Sequence, residues 1–287
     1  MPELPEVEVV KESLSSTITG KKINKVSVKN RNLRIKIQKN FEIKLERKTI
    51  KEVRRFSKYI ILVFNIDNYC IIHLGMSGTI HLIKKNSLNK KTNASFYHSP
   101  FLPKKHNHVV IEFDKIKIIY NDPRRFGYFR LLESKESLLE FLNYYGPEPF
   151  SSRFNYNYLK LYLTKKEKNI KNFLLDQKFV SGIGNIYANE ILFKCKINPK
   201  KKGKLLTPKD INNIIKYSKS ILNLAIKKGG SSIRDFKNAV GRKGAYQDKF
   251  KVYNRENKNC LIPRCDGIIK KKFITNRSTF FCDICQK

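Results

Sequence analysis

Met1-Pro2-Glu3-Leu4-Pro5-Glu6-Val7-Glu8 opens the chain, and two readings fit these eight residues. As structure, the stretch starts a helix. Pro5 suits the first helical position, and Glu6 and Glu8 face the positive end of the peptide dipoles. Val7, Val10 and Leu14 then recur at helical spacing until Gly20 stops the run. As chemistry, removal of Met1 leaves Pro2 as a secondary backbone amine. A reference pKa of about 7.7–8.0 keeps a useful fraction of it neutral near physiological pH. A neutral amine can attack a carbonyl-like carbon and form an iminium, with Glu3 beside it to give or take a proton. The eight residues leave both readings open.

Length and charge narrow the function. The 287 residues suffice for two domains, each with a core. Sixty Lys and Arg against 24 acidic residues give a formal net charge of +36, which points to a polyanion and foremost to nucleic acid. Part of the excess is compositional, because Lys, Asn and Ile are abundant throughout and Trp is absent, as A- and T-rich codons would produce. The acidic start, without an apolar core segment, shows no secretory signal. Runs such as Tyr59–Phe64 are far shorter than the ~20 residues that span a bilayer. A cytoplasmic protein with no membrane partner is expected. Four of the six cysteines crowd into the last 28 residues, and clustered pairs in such a compartment read as metal ligands before disulfides.

After the first helix the periodicity becomes that of strands. Val26 and Val28 alternate with polar residues, as do Leu33, Ile35 and Ile37. Tyr59–Phe64 and Tyr69–Leu74 are continuous apolar runs of strand length. Ile80–Ile83, Val109–Phe113 and Ile116–Tyr120 are further strands, the last two close enough for a hairpin. This spacing suggests a β-sandwich or barrel. Residues 85–108 read as a long loop, and a short helix is expected over Lys135–Tyr144. Gly146-Pro147-Glu148-Pro149 cannot continue a helix and reads as a linker. Beyond it helices are expected over 153–164, 169–177, 185–195 and Thr207–Lys228, the last capped by Thr207, opened by Pro208 and ended by Gly229-Gly230. A Gly- and Lys-containing loop over 237–249 precedes the tail.

The tail carries the strongest motif. Cys260-x4-Cys265, sixteen residues, then Cys282-x2-Cys285 has the spacing of a four-thiolate zinc ribbon. A piece this small has too little core to fold unaided, and structural zinc in finger peptides contributes about 10–16 kcal/mol. Lys270, Lys271, Lys272 and Arg277 between the pairs put charge on the hairpin for phosphate contact. Cys70 and Cys195, in apolar surroundings, read as core. Ser181-Gly182-Ile183-Gly184-Asn185-Ile186-Tyr187 opens a helix; it is either a structural turn or a place where phosphate reaches exposed amides. Asp122-Pro123-Arg124-Arg125-Phe126-Gly127 is either a turn with solvated arginines or a loop entering a duplex, Arg bonding an abandoned base and Phe wedging the stack. His73-Leu74-Gly75-Met76-Ser77-Gly78 could be a plain strand end, although Met76 between glycines is oddly placed for packing.

Together with Lys105-His106-Asn107-His108 and Gly146–Pro149, these motifs resemble, in order and over essentially the whole chain, the bacterial formamidopyrimidine-DNA glycosylases of base-excision repair. The resemblance implies an α+β, two-domain fold. Its parts are an N-terminal catalytic β-sandwich with flanking helices (1–134), a helix and linker (135–152), a helix–two-turn–helix DNA-binding domain (153–250) and a zinc-ribbon β-hairpin (251–287), with damaged double-stranded DNA held between the domains of a monomer. It implies a bifunctional glycosylase and DNA-(apurinic or apyrimidinic site) lyase in which Pro2 attacks C1′ and Glu3 donates a proton to open the sugar. Lys58 matches the β-elimination residue and Arg277 the δ-elimination residue. Met76, Arg124 and Phe126 match the void-filling residues; His73, His106, Lys166, Lys171 and Asn185 match DNA contacts. Cys260, Cys265, Cys282 and Cys285 match the ligands of one structural zinc. Leu4 fits the branch acting on 8-oxoguanine and formamidopyrimidines, since the endonuclease VIII branch usually has Gly there. The lesion-capping loop falls around Gly241–Gln247, with Tyr246. The alternatives are an endonuclease VIII-like enzyme for oxidised pyrimidines and a non-catalytic zinc-ribbon DNA-binding protein.

Overall fold

The computed structural model describes residues 1–65, 67–84, 91–94, 104–231 and 244–287, with residues 84 and 91–94 described by backbone alone. They group into two compact units, 1–142 with 226–247 and 143–225 with 248–287. Residues 226–231 and 244–247, within the stretch expected as one helical domain, group with the first unit.

The first unit contains α1 (Leu4–Ile18), β1 (Lys25–Val28), α2 (Phe41–Leu45), β2 (Ile50–Phe56), β3 (Tyr59–Phe64), β4 (Tyr69–His73), β5 (Thr79–Lys84), β6 (Lys91–Ala94), β7 (Asn107–Glu112), β8 (Ile116–Asn121) and β9 (Tyr128–Leu132), followed by α3 (Lys135–Asn143). Two antiparallel sheets form, ordered β1-β7-β8-β5-β6 and β2-β3-β4-β9. Their inner faces and α1 share a core that includes Leu14, Leu62, Ile72, Ile80, Ile111, Tyr120 and Phe129. The second sheet is buried on its outer face too, where Ile61, Val63, Tyr69 and Ile71 pack with Leu138, Phe141 and Leu142. This explains the unbroken apolar runs. Successive strand residues point to opposite faces, and when both faces are covered no polar residue interrupts the sequence.

Two expectations for this unit are corrected, and two strands are added. Leu33, Ile35 and Ile37 form no strand, although Leu33 and Ile37 are buried and Ile35 is exposed. The Arg31 carbonyl accepts both the Leu33 and Ile37 amides at 3.0 Å, which curls the segment into a loop. The alternation reports a buried side, not a ladder. The expected loop over 85–108 contains β6 and the start of β7; its residues 85–90 and 95–103 lie outside the described residues. Strands β2 and β9 went unpredicted. In β2 a bulge between Ile50 and Glu52 breaks the period of two, so Ile50 and Val53 both reach the core.

The second unit contains α4 (Tyr156–Leu163), α5 (Ile170–Leu175), α6 (Asn185–Cys195), α7 (Pro208–Lys227, reaching into the first unit), β10 (Ile269–Ile274) and β11 (Arg277–Cys282). Asn155 and Asn169 cap α4 and α5, each side chain accepting an amide from the first turn. Thr207 and Asp210 bond reciprocally at the head of α7, at 3.1 and 3.0 Å. Nearly every residue of α6 is buried, which makes it the central helix of this unit. The mixed α and β, two-domain architecture expected from the sequence is present. Among the described residues no helix is long and apolar enough to cross a membrane.

Candidate active site and nucleic-acid interface

The head of α1 is buried. Pro2, Glu3, Leu4, Pro5 and Glu6 are all shielded from solvent, Glu3 to 3 % and Glu6 to 2 % exposure. Glu6 organises the end. One carboxylate oxygen accepts the Glu3 amide at 2.9 Å; the other accepts the amide and hydroxyl of Ser231 at 2.8 and 2.9 Å. A side chain at Gly230, where φ is +78°, would press on Glu6, so the chain can pass this close only as glycine. Burial pushes the pKa of the Met1 α-amine down; Glu3 and Glu6 act against that push, and the charges of Lys58 and Arg124 reinforce it.

Lys58 sits in the two-residue turn between β2 and β3, after Ser57 at a φ of +55°, and is only 6 % exposed. Arg55 braces this turn. It donates to the Ser57 carbonyl at 3.0 Å and pairs with Glu8 of α1, so the helix that presents Pro2 and the turn that presents Lys58 are tied by an ion pair with little exposure. Burial would raise the Glu8 pKa, but Lys11 and Arg55 outweigh it and hold the carboxyl below its ordinary value.

Met76 and Phe126 are large apolar side chains left 42 % exposed, and Arg124 lies 4.5 Å over the Phe126 ring. They stand on neighbouring loops that touch at glycine. Gly75 has a φ of +66°, and a Cβ there would fall 2.4 Å from the Gly127 nitrogen. His73 is buried and stacks on Tyr128. Its Nδ1 accepts the Gly75 amide at 3.1 Å, which leaves the proton on Nε2. Burial, then Lys58 and Arg34, pushes the His73 pKa down to about 4, so the ring is neutral at physiological pH. His106 ends a 3-10 turn over Lys104–His106 and is half-buried. The turn Ser57-Lys58, the head of α1 and these loops all belong to the first unit.

The remaining candidates belong to the second unit. Asn185 is the first residue of α6 and donates to the Ser278 carbonyl at 3.0 Å. Lys171 is fully buried; its Nζ donates to the same carbonyl at 3.0 Å and to Thr279 Oγ1 at 2.7 Å. These bonds hold the base of the turn Thr275-Asn276, whose residues both have positive φ and which presents an exposed Arg277. Lys166 is exposed on the connection from α4 to α5. The glycine turn before α6 is braced by Gln177, which accepts the Gly182 amide and donates to the Ile183 carbonyl, both at 2.9 Å.

The sequence motifs contained several structural partners whose part in the site had no local signal: Glu6, Ser77, Asp122, Asn189 and Glu190. Asn189 accepts the Phe280 amide at 2.8 Å. Glu190 is buried and receives the consecutive amides of Lys251, Val252 and Tyr253. Only the fold brings those amides to α6.

Cys260, Cys265, Cys282 and Cys285 bring their sulfurs within 4.8 Å of one another. Cys260–Cys285 and Cys265–Cys282 are each 3.7 Å apart. Four thiolates at the usual Zn–S distance of ~2.3 Å around a tetrahedral ion lie about 3.8 Å apart, so this donor set fits a zinc-sized cation. The cluster can hold a metal ion.

The profile of the formamidopyrimidine-DNA glycosylase N-terminal domain matches residues 1–129, and that of the formamidopyrimidine-DNA glycosylase H2TH domain matches residues 145–237. Formamidopyrimidine-DNA glycosylases of Rickettsia conorii and Dinoroseobacter shibae are 40 % and 38 % identical to the chain; all of it is covered, as is 99 % and 100 % of those proteins. A Lactococcus lactis FPG mutant solved in complex with a Fapy-dG containing DNA superimposes with a TM-score of 0.86 at 32 % identity, covering all of both chains. With its buried amino-terminal head, its exposed loop tips and its four-cysteine ribbon, the chain belongs to the formamidopyrimidine-DNA glycosylase family of DNA-repair enzymes.

Proposed function

We propose that this enzyme excises oxidised purines, 8-oxoguanine and formamidopyrimidines, from damaged duplex DNA and then cuts the strand through a Schiff base on Pro2. The observation that carries the reading is the buried head of α1, where Pro2 and Glu3 lie together, shielded from solvent and held by Glu6. Burial keeps such an amine neutral and nucleophilic. Once Met1 is removed, the Pro2 nitrogen attacks C1′ and the bond to the base breaks, the base leaving with a proton. Glu3 protonates the ring oxygen as the sugar opens to the iminium. Lys58 serves β-elimination, in which C2′ loses a proton and the 3′ phosphate departs. Arg277 serves δ-elimination of the 5′ phosphate and stabilises the departing anion.

Met76, Arg124 and Phe126 fill the void left by the extruded nucleotide, which costs a few kcal/mol to unstack. Their grouping at exposed loop tips, with Arg124 over the Phe126 ring, supports this. His73, through its Nε2–H, His106, Lys166 and Asn185 contact DNA. Lys171 is assigned to the DNA contacts as well; its burial indicates that it acts there by holding Ser278 and Thr279 beside Arg277. The cysteine cluster holds one structural zinc, which supplies folding energy to the ribbon. The substrate class is supported by Leu4 and by the Lactococcus lactis complex with Fapy-dG containing DNA.

Borohydride trapping tests the mechanism. Protein shown by intact mass to begin at Pro2 is expected to form a covalent adduct with a duplex carrying 8-oxoguanine opposite C. Protein that retains Met1 is expected to form none, and full activity with Met1 in place refutes the Schiff base. Preference for thymine glycol over 8-oxoguanine overturns the substrate assignment in favour of an endonuclease VIII-like enzyme.

A further inference from the structure

Asp122 is fully buried at the end of β8, yet its carboxylate meets four donors. Oδ1 accepts the Ser77 hydroxyl at 2.5 Å and the Arg124 amide at 3.3 Å. Oδ2 accepts the Tyr120 hydroxyl and the Gly127 amide, each at 2.9 Å. The residue's own backbone joins in: its amide donates to the His106 carbonyl at 3.0 Å, and its carbonyl accepts the Arg125 amide at 3.2 Å and the His108 Nε2–H at 2.7 Å. A carboxylate out of water is costly unless such donors replace the solvent. Here each oxygen takes one hydroxyl and one backbone amide, and the groups come from different segments. Ser77 adjoins Met76, while Arg124 and Gly127 bracket Phe126.

Met76 and Phe126 are 42 % exposed at the tips of these loops, and the ties between the loops lie at their base. Contacts at the base join the loops, one of them direct: the Arg124 amide donates to Ser77 Oγ at 3.3 Å. Gly75 against the Phe126–Gly127 backbone sets how closely they approach. The Asp122 carboxylate, bonded to both loops at once, sets their register.

We infer that Asp122 is a positioning residue that locks the loop of Met76 to the loop of Arg124 and Phe126, so that all three side chains enter the base stack as one unit. This rests on the reading of those three as void-filling residues.

Asp122→Asn is isosteric, but its NH2 group must face either the Arg124 amide or the Gly127 amide, neither of which can accept. The variant is compared with wild type on a duplex carrying 8-oxoguanine opposite C and on a single-stranded oligonucleotide with a preformed abasic site, where there is no stack to enter. Misplaced loops should slow single-turnover excision from the duplex about tenfold or more, with single-strand nicking at the wild-type rate. The fluorescence rise of 2-aminopurine opposite the lesion should shrink in parallel. Should Asp122→Asn fail to fold, Ser77→Ala removes the hydroxyl's ties to Asp122 and to the Arg124 amide without altering the charge and should shift the duplex to single-strand ratio in the same direction. Equal loss on both substrates, or unchanged duplex excision, overturns the inference. Phe126→Ala separates the two layers. If it slows duplex excision while Asp122→Asn does not, only the positioning role falls; if Phe126→Ala leaves duplex excision intact, the void-filling reading falls and the inference with it.

Discussion

The β-sandwich of the first unit and the cysteine ribbon of the second hold their functional loops by opposite means. The sandwich has two sheets and a helix around one continuous core, and its loops are fixed on that core by buried carboxylates, Glu6 and Asp122, saturated with donors. The ribbon is a two-stranded hairpin, which by itself is marginal in water. Its small core, Phe193, Val252, Ile269 and Phe280, includes Cys260 and Cys282 themselves, so the proposed zinc ligands are also the packing. The difference teaches where each region fails: the sandwich through lost volume or a buried unpaired charge, the ribbon, on the zinc role proposed for its cysteines, through lost metal.

The largest expected effect is on the ribbon. Chelation, or Cys282→Ser, removes a binding energy of about 10–16 kcal/mol. We expect loss of zinc by native mass spectrometry and loss of DNA binding, with the strand signal of the sandwich retained in circular dichroism. Metal content unchanged in Cys282→Ser would break the contrast from one side. Leu62→Ala attacks the other side: Leu62 is 1 % exposed between the sheets, and its truncation should cost about 2–5 kcal/mol. Thermal unfolding should show that loss with zinc stoichiometry intact.

His73 sharpens the comparison through pH. Its folded pKa of about 4 lies below the unfolded value of about 6.5, so between these values the unfolded chain binds the proton more readily. The stabilising contribution is complete above about pH 6.5 and declines as pH falls toward 4, by at most about 3 kcal/mol. The stability difference between wild type and His73→Gln, which cannot titrate, should shrink over that window. A constant difference would mean that the ring is not held neutral. Smallest is Lys171→Met, which removes two charge-assisted hydrogen bonds under the Arg277 turn and should cost roughly 1–2 kcal/mol. On the role proposed for Arg277, products cut only by β-elimination should accumulate on gels, with zinc still bound.

Much of the site was legible because its chemistry is local in the chain. Pro2 next to Glu3, the two arginines before Phe126 and the cysteine spacing are contiguous motifs. The helix over 185–195 was also readable, since its glycine turn marks its start. The segments that misled were those where period and hydrogen bonding part company. Leu33–Ile37 alternates but curls around the Arg31 carbonyl, and β2 is a strand whose bulge hides its alternation. For Lys171, matched to the DNA contacts, nothing local in this Lys-rich chain marks burial. Its burial follows from partners more than a hundred residues away.

What the sequence by itself determined is therefore the inventory: a terminal amine with a neighbouring acid, a basic chain, a four-thiolate tail, and strands whose unbroken apolar runs demand cover on both faces. What only the tertiary structure decided is which polar groups meet. Glu6 finds Ser231, Asp122 gathers Ser77 and Tyr120 with two loop amides, and Glu190 receives three amides from residues 251–253. The physical reason is that hydrophobic patterning is periodic and so visible along one segment. The donors that satisfy a buried carboxylate are drawn from whatever segments the fold brings within about 3 Å, and no spacing in the chain records that.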